Sequence, residues 1–184
     1  MKPLTKERYE ELVKTAPGTS VLFYGSRESV LHEALAHPGT TVGSDSFPLT
    51  VTKTDKMAIA SAPYEAVQGH PRPAGTNAIV LRMVREKKLM SLMTAISKMT
   101  DLPAQFLEEN GVAQMAFKGR IQLGADADIT IFDPETVKDN STPKQAGLPS
   151  TGIPYVIVNG SVVVKDSKVL KDVYPGKAIR LPVR

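Results

Sequence analysis

Residues 155–165 read YVIVNGSVVVK, in which two runs rich in valine are separated by Asn159 and Gly160. An Asn-Gly pair readily adopts the two positive φ angles of a type I′ turn, whose twist matches that of the strands it joins. The β-branched residues on both sides favour extended backbone. The stretch therefore predicts a β-hairpin with strands over 155–158 and 161–165.

Strand patterns continue upstream of this hairpin. Residues 120–123 and 129–132 predict two short strands, separated by the turn 124–128, which is rich in aspartate and glycine. Residues 138–149 are polar and predict a loop. Because the apolar spacing changes from about 3.6 to about two residues near position 112, we expect two domains, 1–111 and 112–184.

Helical spacing dominates the first of these domains. Thr5 is a suitable N-cap for a first helix, and Gly25-Ser26 opens a second. The helices are predicted over 5–16, 25–37, 77–87, 91–99 and 103–109, with short strands over 20–24 and 40–43. Residues 47–76 contain several prolines and little periodicity, which predicts a long connection. The fold class expected is therefore α/β followed by an all-β portion.

Composition excludes several classes of protein. The chain has 184 residues, 41% of them hydrophobic and 23% charged, as in ordinary folded proteins. It is shorter than the roughly 250 residues of a complete eight-stranded α/β barrel. It has no cysteine, which excludes disulfides, thiolate catalysis and cysteine-ligated zinc.

Charge and hydropathy exclude two classes of binding partner, nucleic acids and membranes. The formal net charge is +4, but only 5% of residues are aromatic and there is no tryptophan, so stacking platforms for bases are few and no nucleic-acid partner is expected. Apolar runs are far shorter than the about 20 residues of a membrane span, so no membrane partner is expected either. The charged first residues lack the apolar core of a signal peptide, and we expect a cytoplasmic protein.

The three histidines do not form the familiar zinc motif. His32 and Glu33 followed by His37 resemble HExxH, but the histidines are five residues apart instead of four. Five residues correspond to about 140° around a helix, so the two rings cannot converge on one ion. We expect His32 on a helix surface and His37 at a helix end, and no metal ligands in this chain.

Two other segments offer groups suited to catalysis. Asp45 lies between two serines at the end of the predicted strand 40–43, where α/β folds place reactive groups, and it suits a general base or a turn. His70 and Arg72 lie in the sequence HPRPAGT, which predicts a stiff loop. A guanidinium there suits recognition of a carboxylate, while a purely structural loop is the alternative.

Taken together, several segments resemble the carboxyl-terminal portion of the amidohydrolase superfamily, in its D-aminoacylase (N-acyl-D-amino-acid deacylase) branch. The segments are 42–45 (VGSD), 70–76 (HPRPAGT), 97–104 (SKMTDLPA), 118–134 (KGRIQLGADADITIFDP) and 155–164 (YVIVNGSVVV). The resemblance covers nearly the whole chain.

This resemblance implies a partial (β/α) barrel segment over 1–111 followed by a small β-sandwich portion over 112–184. It implies that Asp45 is the catalytic aspartate that takes a proton from metal-bound water and passes it to the leaving amine. It places His70 and Arg72 at the mouth of that site as substrate-binding residues. The complete family enzyme uses zinc or another divalent metal to hydrolyse an N-acyl amino acid.

The metal ligands of the family have no counterpart in this sequence, although a catalytic zinc normally takes three protein ligands. We therefore expect no cofactor in this chain alone, and neither catalytic zinc nor deacylase activity in the isolated chain. The partner expected is a missing amino-terminal barrel chain or a homo-oligomer. The alternatives are a non-enzymatic interaction or relic module, possibly homodimeric, and an independent hydrolase that uses Asp45 and His70 alone.

Overall fold

The computed structural model of the chain describes residues 4–19, 25, 27–47, 49–51 and 62–181. It contains both helices and sheets, and the α/β class predicted from the sequence is confirmed. The chain divides into two compact units, residues 1–33 and residues 34–184. None of the described helices is long and apolar enough to cross a membrane.

The first unit is helical where it is described. Helix α1 (Lys6–Thr15) begins as predicted, because the Thr5 hydroxyl accepts a hydrogen bond from Arg8 N at 3.2 Å. Helix α2 (Glu28–Ala36) confirms the second predicted helix and ends in the second unit. The strand predicted over 20–24 lies outside the described residues.

The second unit carries three further helices: α3 (Arg72–Lys87), α4 (Leu92–Met99) and α5 (Asp101–Glu109). Helix α4 starts where its sequence predicts, with the Ser91 hydroxyl accepting from Thr94 N at 3.0 Å. Helix α3 starts five residues before the predicted Asn77, so the expected loop over 70–76 is wrong from Arg72 onwards. Pro73 lies in the first turn of α3, where a helix needs no N–H, and proline there favours a helix.

A small apolar core holds these helices against the later part of the chain. Ala78 and Leu81 of α3 pack with Val137, which is fully buried. Leu92, Met99, Phe132 and Ile153 pack around these three residues. Residues before and after position 112 therefore share one core. The predicted division into 1–111 and 112–184 stays a prediction.

Two antiparallel sheets complete the second unit. Strands β1 (Thr50–Val51) and β2 (Val67–Gln68) form a two-stranded sheet. The other sheet has the order β3–β4–β5–β6, with strands Ile129–Ile131, Tyr155–Val158, Ser161–Lys165 and Lys168–Val169. The predicted hairpin is confirmed: β4 pairs with β5, and Asn159 and Gly160 have φ angles of 47° and 78°.

Two predicted strands are wrong. Residues 40–43 are not a strand, because Val42 N donates to Lys98 O at the end of α4 instead of to a strand. Residues 120–123 have no strand partner among the described residues, although β3 is correctly predicted after them. Ile121 is 89% exposed and Leu123 is fully exposed. A segment with a strand pattern is thus left without the sheet that would cover it.

Candidate functional site

The carboxylate of Asp45 forms an ion pair with Arg72, which is 27 residues away in sequence. Arg72 Nη1 lies 2.7 Å from Asp45 Oδ2. The Asp45 side chain is 86% exposed, whereas that of Arg72 is 34% exposed. Two of the three residues singled out from the sequence are therefore brought together at the surface.

Local backbone geometry orients Asp45. Its φ angle is 46°, in the left-handed region that aspartate and asparagine adopt more readily than most residues. The hydroxyls of Ser44 and Ser46 lie 2.9 Å apart on either side and hydrogen-bond to each other. Within the described part of the chain, Oδ2 of Asp45 is the oxygen that is bonded, and the side chain is largely exposed.

The first turn of α3 fixes the position of Arg72. Ser141 Oγ donates to Pro71 O at 3.0 Å, and Ser150 Oγ donates to Ala74 O at 2.8 Å. Both serines lie in the connection between β3 and β4, which therefore holds this turn from outside. The Nε atom of Arg72 is buried and has no hydrogen-bond partner in the described ranges. Arg72 thus retains donors that Asp45 does not use.

His70 contacts Arg72 through the backbone. Its Nδ1 accepts a hydrogen bond from Arg72 N at 3.3 Å, which corresponds to the tautomer with the proton on Nε2. The described residues contain no hydrogen bond between His70 and Asp45. The structure therefore joins both groups to Arg72 and does not form the acid–base pair that an independent Asp45–His70 hydrolase requires.

The described residues do not form a metal cage. No three histidine, aspartate or glutamate side chains in the described ranges come together as a metal site. His32 Nε2 lies 3.4 Å from Glu28 within α2, and His37 Nδ1 accepts from Gly39 N at 3.1 Å. His37 thus has a local partner, whereas His32 Nε2 is buried and makes no hydrogen bond in the described ranges. A catalytic zinc with three protein ligands does not fit the residues described here.

A buried lysine contacts the segment that precedes Asp45. Lys98 of α4 is 1% exposed, and its ammonium donates to His37 O, to Thr40 O at 2.8 Å and to Thr40 Oγ1 at 3.0 Å. These three acceptors use all three N–H donors of the lysine. The segment that leads from α2 to Asp45 is therefore attached to α4.

A second charged cluster lies at the hairpin. Lys118 Nζ contacts Asp128 and lies 2.9 Å from Asp126 Oδ2, and Asp128 Oδ1 accepts from Asn159 N at 2.6 Å. Hydrogen bonds to Asp128 and then to Asp126 raise the pKa of Lys118. The hydrogen bonds from Lys118 and then from Asn159 N lower the pKa of Asp128. This cluster ties the turn 124–128 to the β4–β5 turn.

Comparison with known proteins identifies the family to which this arrangement belongs. Residues 30–164 match the model of the amidohydrolase family. The chain belongs to the amidohydrolase family. The matched range includes Asp45, His70 and Arg72 and extends through the β4–β5 hairpin.

Individual amidohydrolase relatives are deacylases of N-acyl-D-amino acids. The chain is 37% identical to an N-acyl-D-aspartate deacylase of Alcaligenes xylosoxydans xylosoxydans over 153 residues, which are 83% of this chain and 26% of the relative. The resemblance to the D-aminoacylase branch is thus confirmed. The chain spans about a quarter of the length of the relatives it matches.

Solved structures agree. An N-acyl-D-glutamate deacylase from Bordetella bronchiseptica, in complex with zinc and a phosphonate inhibitor, superposes with a TM-score of 0.64 at 34% identity, covering 84% of this chain and 28% of that one. A D-aminoacylase studied for its binuclear metal centre gives a TM-score of 0.63 at 31% identity, covering 79% of this chain and 26% of that one. Metal is therefore part of these amidohydrolase relatives.

Sequence reasoning missed one buried residue that contacts the segment before Asp45. Lys98 follows Ala95 by three residues, which places it one turn further along the buried face of α4. The signal that could have identified Lys98 is its charge on an otherwise apolar helix face. A lysine is buried there only when hydrogen-bond partners compensate its charge.

Proposed function

We propose that residues 1–184 are the carboxyl-terminal section of an N-acyl-D-amino-acid deacylase, which hydrolyses the amide bond between an acyl group and a D-amino acid. In this proposal residues 1–111 are the last part of a (β/α) barrel and residues 112–184 are a β-sandwich portion. The observation that carries the proposal is the contact between Asp45 and Arg72, within a chain similar to such deacylases.

Asp45 is the proposed proton shuttle. Its carboxylate takes a proton from the attacking water, and the resulting acid returns that proton to the nitrogen of the leaving amino acid as the C–N bond breaks. Support comes from the exposure of the Asp45 side chain, since an acid–base group must be within hydrogen-bond reach of substrate. Arg72 bonds to Oδ2, which leaves Oδ1 without a partner in the described part of the chain.

Arg72 is the proposed contact for the substrate carboxylate, and His70 lies beside it at the mouth of the site. A guanidinium carries five N–H donors in a planar fork, which suits two parallel bonds to a carboxylate. Asp45 takes one of these donors, at Nη1. Because Nε is buried, the capacity left for a second anionic group lies at Nη2, which Asp45 does not use.

The metal of the completed enzyme needs ligands from elsewhere. The zinc in the Bordetella relative requires more protein ligands than the described residues of this chain bring together. We propose that a section matching the rest of the relatives supplies them. The isolated chain is then expected to hold no catalytic zinc and to hydrolyse no N-acyl amino acid.

The segment 121–123 is the proposed contact for that completing section. Ile121 and Leu123 expose apolar surface, and β3, which follows them in sequence, is an edge strand of the described sheet. Apolar strand-like segments without a sheet partner tend to pair with other chains. Pairing with the completing section covers these side chains.

In the test, the completing section is supplied by the Alcaligenes N-acyl-D-aspartate deacylase from which the region matched by this chain has been deleted. This truncated deacylase is called the front section below. Both polypeptides are co-expressed, and release of D-aspartate from N-acetyl-D-aspartate is measured with added zinc. Asp45→Asn is expected to lower turnover by about 100-fold or more, since acid–base groups contribute 10²–10⁴.

Asp172→Asn is the matched control, because Asp172 also has a positive φ angle and lies in a different turn. It should leave turnover unchanged. A stable complex without turnover contradicts the proposed function. A complex in which Asp45→Asn is as active as the unmodified chain contradicts the role of Asp45.

A second candidate is a non-enzymatic interaction module that forms a homodimer. The exposed Ile121 and Leu123 favour it, because two copies can cover each other's apolar segments. Light scattering distinguishes the two candidates. If the chain stays a homodimer when the front section is added, the interaction module is favoured. If the homodimer instead dissociates and each chain binds the front section, the deacylase is favoured.

A further inference from the structure

Lys98 attaches the segment before Asp45 at two points. Its ammonium bonds to the carbonyls of His37 and Thr40, and its own carbonyl accepts from Val42 N at 3.0 Å. Helix α4 therefore fixes the backbone on both sides of Thr41. Asp45 follows Val42 by three residues.

The three acceptors of the ammonium are uncharged oxygens. A buried ammonium costs free energy unless it is fully hydrogen-bonded, and here all three N–H groups are used. One of these acceptors, His37 O, directly follows the end of α2, where helix geometry favours positive charge. The ammonium in this place holds residues 37–40 in one arrangement, because any other arrangement leaves the buried charge without partners.

We infer that Lys98 is a positioning residue for Asp45. Its ammonium fixes residues 37–40 and thereby helps to set the place from which Asp45 meets Arg72, while its backbone carbonyl holds Val42. That this placement matters for catalysis rests on the proposed function. The placement itself is independent of the proposed function.

The absence of native cysteine allows a direct test on the whole chain. Phe47 and Met93 are exposed, and cysteines introduced at both positions carry nitroxide labels on the Asp45 segment and on α4. Pulsed electron resonance then measures the distribution of distances between the labels. Lys98→Met is expected to at least double the width of this distribution.

A second label pair separates positioning from general destabilisation. Labels at Met93 and Val169, both exposed, report on α4 and the sheet. Positioning broadens the 47–93 pair and leaves the 93–169 pair unchanged. An unchanged 47–93 distribution in folded Lys98→Met overturns the inference.

Where Lys98→Met broadens both pairs, Thr40→Val decides, since it keeps the lysine and removes one of its acceptors together with the bonds from that hydroxyl to Ala34 O and His37 O. Broadening of the 47–93 pair alone then supports the inference, and no broadening overturns it. The distances are measured without substrate or front section. A failed deacylase assay therefore leaves this result standing, and unchanged distances leave the deacylase assay unaffected.

Discussion

Replacement of Asp45 by asparagine should cost the folded chain less than about 1 kcal/mol. Two unit charges 2.7 Å apart attract by about 1.5 kcal/mol in water. Because the Asp45 side chain is 86% exposed, solvent and salt reduce this value to the about 0.2–1 kcal/mol measured for surface pairs. Asparagine tolerates the positive φ angle, so no backbone strain is added.

Alanine at the same position should cost about 1 kcal/mol more than asparagine, because it tolerates a φ of 46° less well. Urea unfolding of both variants, at low salt and at about 0.5 M salt, measures these differences. The loss of unfolding free energy in Asp45→Asn should decrease as salt is added. The additional loss in Asp45→Ala should not change with salt. A loss above about 2 kcal/mol for Asp45→Asn, or one insensitive to salt, would refute the exposed ion pair.

Three other changes test separate parts of the fold. Gly152→Ala should destabilise by more than about 2 kcal/mol in a thermal melt, because φ is 78° and a Cβ would lie 2.6 Å from the backbone of Val137; a normal melting temperature would contradict this packing. The pKa of Asp128 lies below its ordinary 3.8, chiefly through Lys118, so its contribution is complete above that pH and is lost as pH falls through the lower folded value. Acid titration of Asp128→Asn should therefore show a shallower loss of stability below about pH 4 than the unmodified chain, and equal slopes would exclude the cluster as the cause. Ile121→Ser should change stability by less than about 0.5 kcal/mol but weaken binding to the front section in a pull-down; unchanged binding would remove residue 121 from that contact.

The sequence predicted well those elements that depend on nearby residues. Thr5 and Ser91 each cap the helix that follows within three residues. Asn159 and Gly160 determine the turn of the hairpin by their own φ preferences. In each case the stabilising contact and the signal lie in the same short stretch.

Elements that depend on distant partners were predicted less well. Residues 120–123 have a strand pattern, but a strand requires a neighbour to satisfy its backbone groups, and the described part of the chain supplies none. Residues 40–43 bond to the end of α4 instead of to a strand. The apolar pattern of a segment does not show whether a neighbouring strand is present to pair with it.

The candidate site shows the same division. Asp45 and Arg72 were singled out for their chemistry, but no spacing rule connects residues 27 positions apart. Lys98 was missed because its role depends on carbonyls about 60 residues earlier. Residue type thus suggested the chemistry, while tertiary contacts determined the geometry.

The bonds from Ser141 and Ser150 to the first turn of α3 have a consequence for engineering. The position of Arg72 depends on the connection between β3 and β4, whose Ser141 lies 70 positions after the Pro71 carbonyl to which it donates. A chimaera that takes its β3–β4 connection from one deacylase and its α3 from another would therefore change the position of the guanidinium, even when every residue around the guanidinium is kept. Chimaeras of this family should exchange that connection together with the helix it braces.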